Sequence, residues 1–130
     1  ASAERFPSAD QILLGPYRET IAGIETDSDS YIVLVTRGHV HDQACLEHAL
    51  GTAAAYIGMI GSRRRVRTVM SHLRDAGYPA ERLEAVHAPV GLDIGAQTPA
   101  EIALAVMAEI VNVRRGGKAT SLMLGERLRV

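Results

Sequence analysis

Apolar and polar positions change rhythm several times along the chain, and each rhythm predicts an element. Residues 1–10 show no period and carry Pro7, so they read as a lead-in loop. Gln11-Ile12-Leu13-Leu14 is a short apolar run ended by Gly15-Pro16, which predicts a brief buried strand. Tyr17 to Ile24 reads as a short helix and residues 26–30 as a polar loop. Tyr31-Ile32-Val33-Leu34-Val35-Thr36 is continuously apolar and β-branched, as strands buried on both faces of a parallel sheet tend to be. A helix is expected from Asp42 to Leu50, with Leu46, Ala49 and Leu50 on one face and Gly51 as its stop. Ala53 to Met59 is the next strand.

Ser62 can cap a helix from Arg63 to Ala76, whose apolar stripe is Val66, Val69, Met70 and Leu73. Ala80 to Ala85 reads as a short helix and residues 87–97 as a loop. Thr98-Pro99-Ala100-Glu101 has threonine at N-cap, proline at N1 and glutamate at N3, a capping box. The helix it opens should run to about Arg114, with Ile102, Val106, Met107, Ile110 and Val113 facing the core. Residues 116–130 read as a loose tail after a partial domain spanning 1–115.

Strands alternating with helices argue for βαβ units around a parallel sheet. The expected fold is α/β, a three-layer Rossmann-like parallel sheet that lacks its first βαβ unit. A complete domain of that kind opens on strand, Gly-x-Gly-x-x-Gly and helix. None of that is present, so the chain reads as the C-terminal portion of such a domain.

Composition narrows the chemistry. Net charge is -1, which argues against a general nucleic-acid surface. Basic residues still concentrate at Arg63 to Arg67 and at Arg114-Arg115, a distribution suited to a small anion. One cysteine, Cys45, excludes a disulfide within the chain and fits a reducing compartment. No apolar run approaches the roughly 20 residues of a membrane span, and the chain is expected to be cytoplasmic.

Ligands of open parallel sheets bind beyond the carboxyl ends of the strands, and three segments are placed to meet there. In Gly58-Met59-Ile60-Gly61-Ser62-Arg63-Arg64-Arg65, a glycine-bounded turn leads into a helix opening on serine and three arginines. A helix dipole disfavours positive charge at that end, so an anion would resolve the conflict. Ser62 and Arg63, nearest the mouth, are the preferred contacts, with Gly61 and Arg64 beside them. The rival reading is a serine cap followed by solvated arginines.

Arg37-Gly38-His39-Val40-His41-Asp42 offers Arg37, His39 and His41 to a ligand. The i, i+2 spacing of the histidines suits a metal-ligand pair on an extended segment, but no third ligand is obvious, and no metal is expected to bind. The rival reading is that Asp42 caps the helix and the histidines pack. In His87-Ala88-Pro89-Val90-Gly91-Leu92-Asp93-Ile94-Gly95, Asp93 can accept hydrogen bonds from a ligand or from its own loop. Cys45 reads as a small buried filler, and no residue set reads as catalytic.

These segments, with Ala55-Tyr56-Ile57 before the first, Val35-Thr36 before the second and Ala96-Gln97-Thr98-Pro99, Glu101-Ile102-Ala103 after the third, resemble the C-terminal Rossmann-like domain of the XdhC and CoxI family. The resemblance runs from about Glu4 to Arg115. Family members are accessory factors for xanthine dehydrogenase and related molybdenum hydroxylases. The resemblance implies a chaperone rather than an enzyme. Such proteins bind molybdenum cofactor (molybdopterin), protect it while its sulfido ligand is installed, and deliver it. The implied partners are a xanthine dehydrogenase-type molybdoenzyme and a cysteine desulfurase. The cofactor's pterin phosphate would suit the arginine mouth.

The chain departs from the family pattern in lacking an N-terminal domain with its own cysteine segment and the glycine-rich first strand-turn-helix. Cys45 does not correspond to that cysteine. Missing first strands would expose a sheet edge, so pairing with another chain, as a homodimer, is expected. Two competing readings are an NAD(P)-binding oxidoreductase-like domain and a structural dimerisation domain without ligand.

Overall fold

A β-branched run and an alanine-preceded apolar run pair in parallel as β1 (Tyr31–Leu34) and β2 (Tyr56–Met59), with Tyr31 opposite Tyr56 and Leu34 opposite Met59. The computed structural model describes residues 2–123, with His39 and Val40 in backbone alone. The helices are α1 (Tyr17–Ala22), α2 (His39–Leu50), α3 (Arg63–Asp75), α4 (Ala80–Glu84) and α5 (Pro99–Arg115). Parallel strands need a crossover, and α2 supplies it. The chain divides into two units, residues 1–89 and 90–130.

In the first unit α2 packs on β1, β2 and α3. The expected faces are the buried ones: Leu46, Ala49 and Leu50 on α2, and Val66, Val69 and Leu73 on α3. Leu34 and Met59 complete the core from the strands, with Leu83 and Val86 closing it below α3. Arg82 of α4 donates through Nη2 to the Leu50 carbonyl, satisfying an acceptor at the carboxyl end of α2.

The opposite face of the sheet carries Tyr31, Tyr56 and His87 in a row. Their ring centroids lie 6.2 Å apart for the tyrosine pair and 4.7 Å apart for Tyr56 and His87. His87 belongs there because it forms a parallel bridge with Gly58. Its N–H donates to the Ile57 carbonyl at 2.9 Å, and its carbonyl accepts from Met59 N at 3.0 Å.

The first unit departs from the expected elements in several places. The fold is α/β with a parallel sheet, but that sheet has two strands and a bridge among the described residues, narrower than the three strands expected. Gln11–Leu14 forms no strand; a short apolar run has no ladder partner there, and Leu13 and Leu14 are exposed. The strand at 31–36 stops at Leu34, and it is not covered on both faces, since Val35 is 68 % exposed. The helix expected from Asp42 starts at His39, because Gly38 adopts φ 96° and turns the chain into it without a side-chain cap.

The second unit is α5 with the loop before it. Leu92 N donates to the Ala105 carbonyl at 3.1 Å, and Gly91 N to Glu109 Oε1 at 3.2 Å. Ala105 is the buried residue of α5, while Met107 and Val113, expected in the core, are exposed. Residues 116–123 form neither helix nor strand, and 124–130 lie outside the described residues.

The capping box is present in full. Thr98 Oγ1 accepts from Glu101 N at 3.2 Å, and Glu101 Oε1 accepts from Thr98 N at 2.9 Å and Gln97 N at 3.0 Å. The backbone N–H of Thr98, then that of Gln97, hold the Glu101 carboxyl below its ordinary 4.5. A depressed folded value means the ionised box stabilises α5 above 4.5 and loses that contribution as pH falls through the lower folded value. First-turn amides of α5 should therefore lose hydrogen-exchange protection on acidification through that window. In Glu101→Gln, protection should show no such step.

Candidate functional site

The carboxyl ends of β1 and β2 lie side by side, so the segments that leave them are neighbours. Ile60 N donates to the Leu34 carbonyl at 3.0 Å and ties the two exits together. From β1 the chain passes Val35, Thr36, Arg37 and Gly38 into α2. From β2 it passes Ile60 and Gly61, at φ 153°, into Ser62 and α3.

Ser62 is the N-cap of α3, its Oγ accepting from Arg65 N at 3.2 Å. The first N–H groups of any α-helix lack an intrahelical acceptor and carry the positive end of the dipole. No acidic residue occupies the first turn of α3. Arg63 and Arg64 are exposed there, and no ion pair holds either among the described residues.

Arg65 points the other way. Its guanidinium pairs through Nη2 with Oδ2 of Asp42, whose side chain is 0 % exposed. Thr36 Oγ1 donates to the other carboxylate oxygen, Oδ1. Asp42 is therefore a buried ion-pair partner in the first turn of α2, not the helix cap that its position suggested. Both residues carried a readable signal. Asp42 shares the α2 face of Cys45, Leu46 and Ala49 at i+3, i+4 and i+7, and Arg65 precedes Val69 and Leu73 at i+4 and i+8.

The remaining candidates scatter. Arg37 and His41 are exposed, and the His41 ring packs on Tyr17 of α1 with centroids 4.8 Å apart. The His39 side chain lies outside the described residues. As helical positions two apart, 39 and 41 are about 200° apart around α2, which undoes the extended ligand pair that their spacing suggested. No group of three potential metal ligands forms among the described residues. Asp93 is exposed in the second unit. Gly61, Ser62, Arg63 and Arg64 are brought together by the turn into α3.

Cys45 is buried in the core. Burial pushes its thiol up, and the Asp42 carboxylate adds to the shift, so the thiolate is disfavoured. A cleft of about 300 Å³ lies between α1, β1 and α2, lined by Tyr17, Ile21, Ile24, Val33 and Val35 among others. No arginine or lysine lines it, so it is not the anion mouth. Among the described residues, no helix is long and apolar enough to cross a membrane.

Comparison with known proteins places this geometry in context. A family model described as the XdhC Rossmann domain matches residues 1–110. A probable xanthine dehydrogenase component of Bacillus subtilis (strain 168) is 31 % identical over 110 residues, covering 85 % of this chain and 31 % of that protein. The molybdenum cofactor insertion chaperone PaoD of Escherichia coli (strain K12) is 28 % identical over 93 residues, covering 72 % and 29 %. Among solved structures, a xanthine dehydrogenase from Bacillus halodurans matches with a TM-score of 0.75 at 28 % identity, covering 88 % of this chain and 33 % of that one. The chain thus spans about a third of the length of these relatives.

Proposed function

We infer the function of this chain from one premise: it belongs to the XdhC Rossmann-domain family. That family includes a relative named for molybdenum cofactor insertion and one named for xanthine dehydrogenase. We propose that the chain is the Rossmann-type portion, over residues 1–115, of an accessory protein that holds molybdenum cofactor for a xanthine dehydrogenase-type molybdoenzyme. It is a chaperone and not a catalyst. A cysteine desulfurase, which supplies sulfur to the cofactor, is its second partner, and it works in the cytoplasm as a homodimer.

The observation that carries this reading is the amino end of α3. Three arginines sit at the positive pole of a helix dipole with no acidic residue in the first turn. Among the described residues, Asp42 pairs with Arg65 and with no other arginine. Arg63 and Arg64 therefore stay exposed beside free helix N–H groups, a donor set that fits a phosphate group. Ser62 and Gly61 would let the phosphate approach the backbone, and Arg37, leaving the neighbouring strand, would add a third guanidinium. The bound cofactor would supply the redox-active molybdenum; these residues only hold its pterin phosphate.

Purified molybdenum cofactor mixed with the full chain and passed through a desalting column tests the reading. Retained cofactor, measured as fluorescent pterin after oxidation, is expected. Arg63→Ala with Arg64→Ala should cut retention about tenfold or more, as each charge-assisted contact is worth roughly 1.5–3 kcal/mol. Equal retention in the double variant, or none in the parent chain, would reject it.

A further inference from the structure

We propose that Asp42 and Arg65 form a clamp that fixes the loop after β1 against the loop after β2, making Arg65 a positioning residue for the arginine mouth. Three contacts converge on this pair. The Asp42 carboxylate, fully buried, takes Arg65 Nη2 on one oxygen and Thr36 Oγ1 on the other. Thr36 belongs to the segment that leaves β1, and Arg65 to the first turn of α3. Arg65 also donates its backbone N–H to Ser62 Oγ at 3.2 Å, so one residue ties the capping serine to the opposite loop.

The pair is a poor choice for stability alone. Two charges lose most of their hydration on burial, and apolar residues of similar volume at such sites are commonly as stable or more so. What an ion pair adds is a defined position. Arg65 Nε and Nη2 and Asp42 Oδ2 are buried without a hydrogen-bond partner among the described residues, so the ion pair with Asp42 is the polar contact that holds the guanidinium. Beyond the clamp, the backbone tie between the two exits is the bond from Ile60 N to the Leu34 carbonyl. Without Asp42–Arg65, the mouth that presents Arg63 and Arg64 would keep that backbone bond and the apolar packing of α3 on α2, but would lose its ion pair to the carboxylate that Thr36 also holds.

The consequence for cofactor rests on the proposed function, but the clamp itself does not, and the test separates them. Amide hydrogen exchange is followed in the full chain for Arg65→Met, Arg65→Lys, Asp42→Asn and the double variant Asp42→Asn with Arg65→Met. The single variants Arg65→Met and Asp42→Asn should raise exchange at residues 35–38 and 60–62 by about tenfold or more, with Val69 to Leu73 unchanged. Arg65→Lys, which keeps the charge, should recover most of that protection. The double variant buries no unpaired charge, so its unfolding midpoint should return towards the parent while both loops stay loose and cofactor retention stays low. If Arg65→Met fails to fold, the double variant decides. Recovery of loop protection in the double variant, an equal rise across the whole unit, or no rise at all would overturn the clamp. Absence of cofactor binding in the parent chain would instead sink the functional reading and leave the exchange result standing.

Discussion

Leu46→Ala is expected to lower the unfolding free energy of the first unit by about 2–5 kcal/mol. Leu46 is 0 % exposed and sits in the cluster with Leu34, Met59, Val69 and Leu73. It lies on the buried face of α2, which packs on both strands and α3, so its loss opens a space inside that cluster. Neighbours on a two-stranded sheet and two helices cannot close in fully, because each is fixed by its own hydrogen bonds. Domains of this size are stable by only about 5–15 kcal/mol, so the variant should stand close to unfolding at room temperature. Urea unfolding should show a lower midpoint with an unchanged slope. Leu14→Ala, at a 70 % exposed position, should stay within about 0.5 kcal/mol of the parent. A loss under about 1 kcal/mol at Leu46 would mean that the core is not organised around it.

Gly91→Ala should destabilise the second unit by about 2 kcal/mol or more. Gly91 has φ 104°, a conformation that L side chains rarely adopt. A Cβ there would lie 3.2 Å from Ala105 Cβ and 3.3 Å from the carbonyl carbon of Ala105 and the nitrogen of Val106. Two of those three atoms are helix backbone and cannot turn aside. The loop would have to lift, breaking the bonds from Leu92 N to the Ala105 carbonyl and from Gly91 N to Glu109. Hydrogen exchange at the Gly91 and Leu92 amides should rise together. Adding Ala105→Gly removes the Cβ contact but neither the backbone contacts nor the strained φ, so it should not rescue the variant. Full rescue would show that side-chain crowding, and not backbone geometry, requires glycine at 91.

Much of the local structure was legible because it depends on residues close in sequence. Thr98, Pro99 and Glu101 specify the start of α5 through bonds that span three residues. Ser62 capping α3 is of the same kind. The buried faces of α2 and α3 followed from helical spacing. Errors arose where a partner from elsewhere in the chain decides. A four-residue apolar run such as Gln11–Leu14 carries no sign of whether a ladder neighbour exists. His87 read as loop, yet one parallel bridge to Gly58 brings it beside Tyr56.

The candidate site divides in the same way. The amino end of α3 with its arginines was readable, since cap, glycine and charge lie in one short stretch. Which arginine turns inward was signalled only by the helical offset of Arg65 to Val69 and Leu73. Positions 63, 64 and 65 differ by about 100° each, and the burial of Val66, Val69 and Leu73 decides which of them faces Asp42. The histidines illustrate the converse: an i, i+2 pair means one thing on a strand and another on a helix, and Gly38 settles which by starting α2 early.

By itself the sequence determined the caps of α3 and α5, the apolar faces of α2 and α3 and the arginine-rich mouth, because each is set by interactions within a turn or two of the chain. The tertiary structure decided that Asp42 and Arg65 meet across α2 and α3 and that the sheet, among the described residues, is two strands wide. Pairings between distant residues depend on which surfaces are buried together, and burial is a property of the folded chain rather than of any one segment.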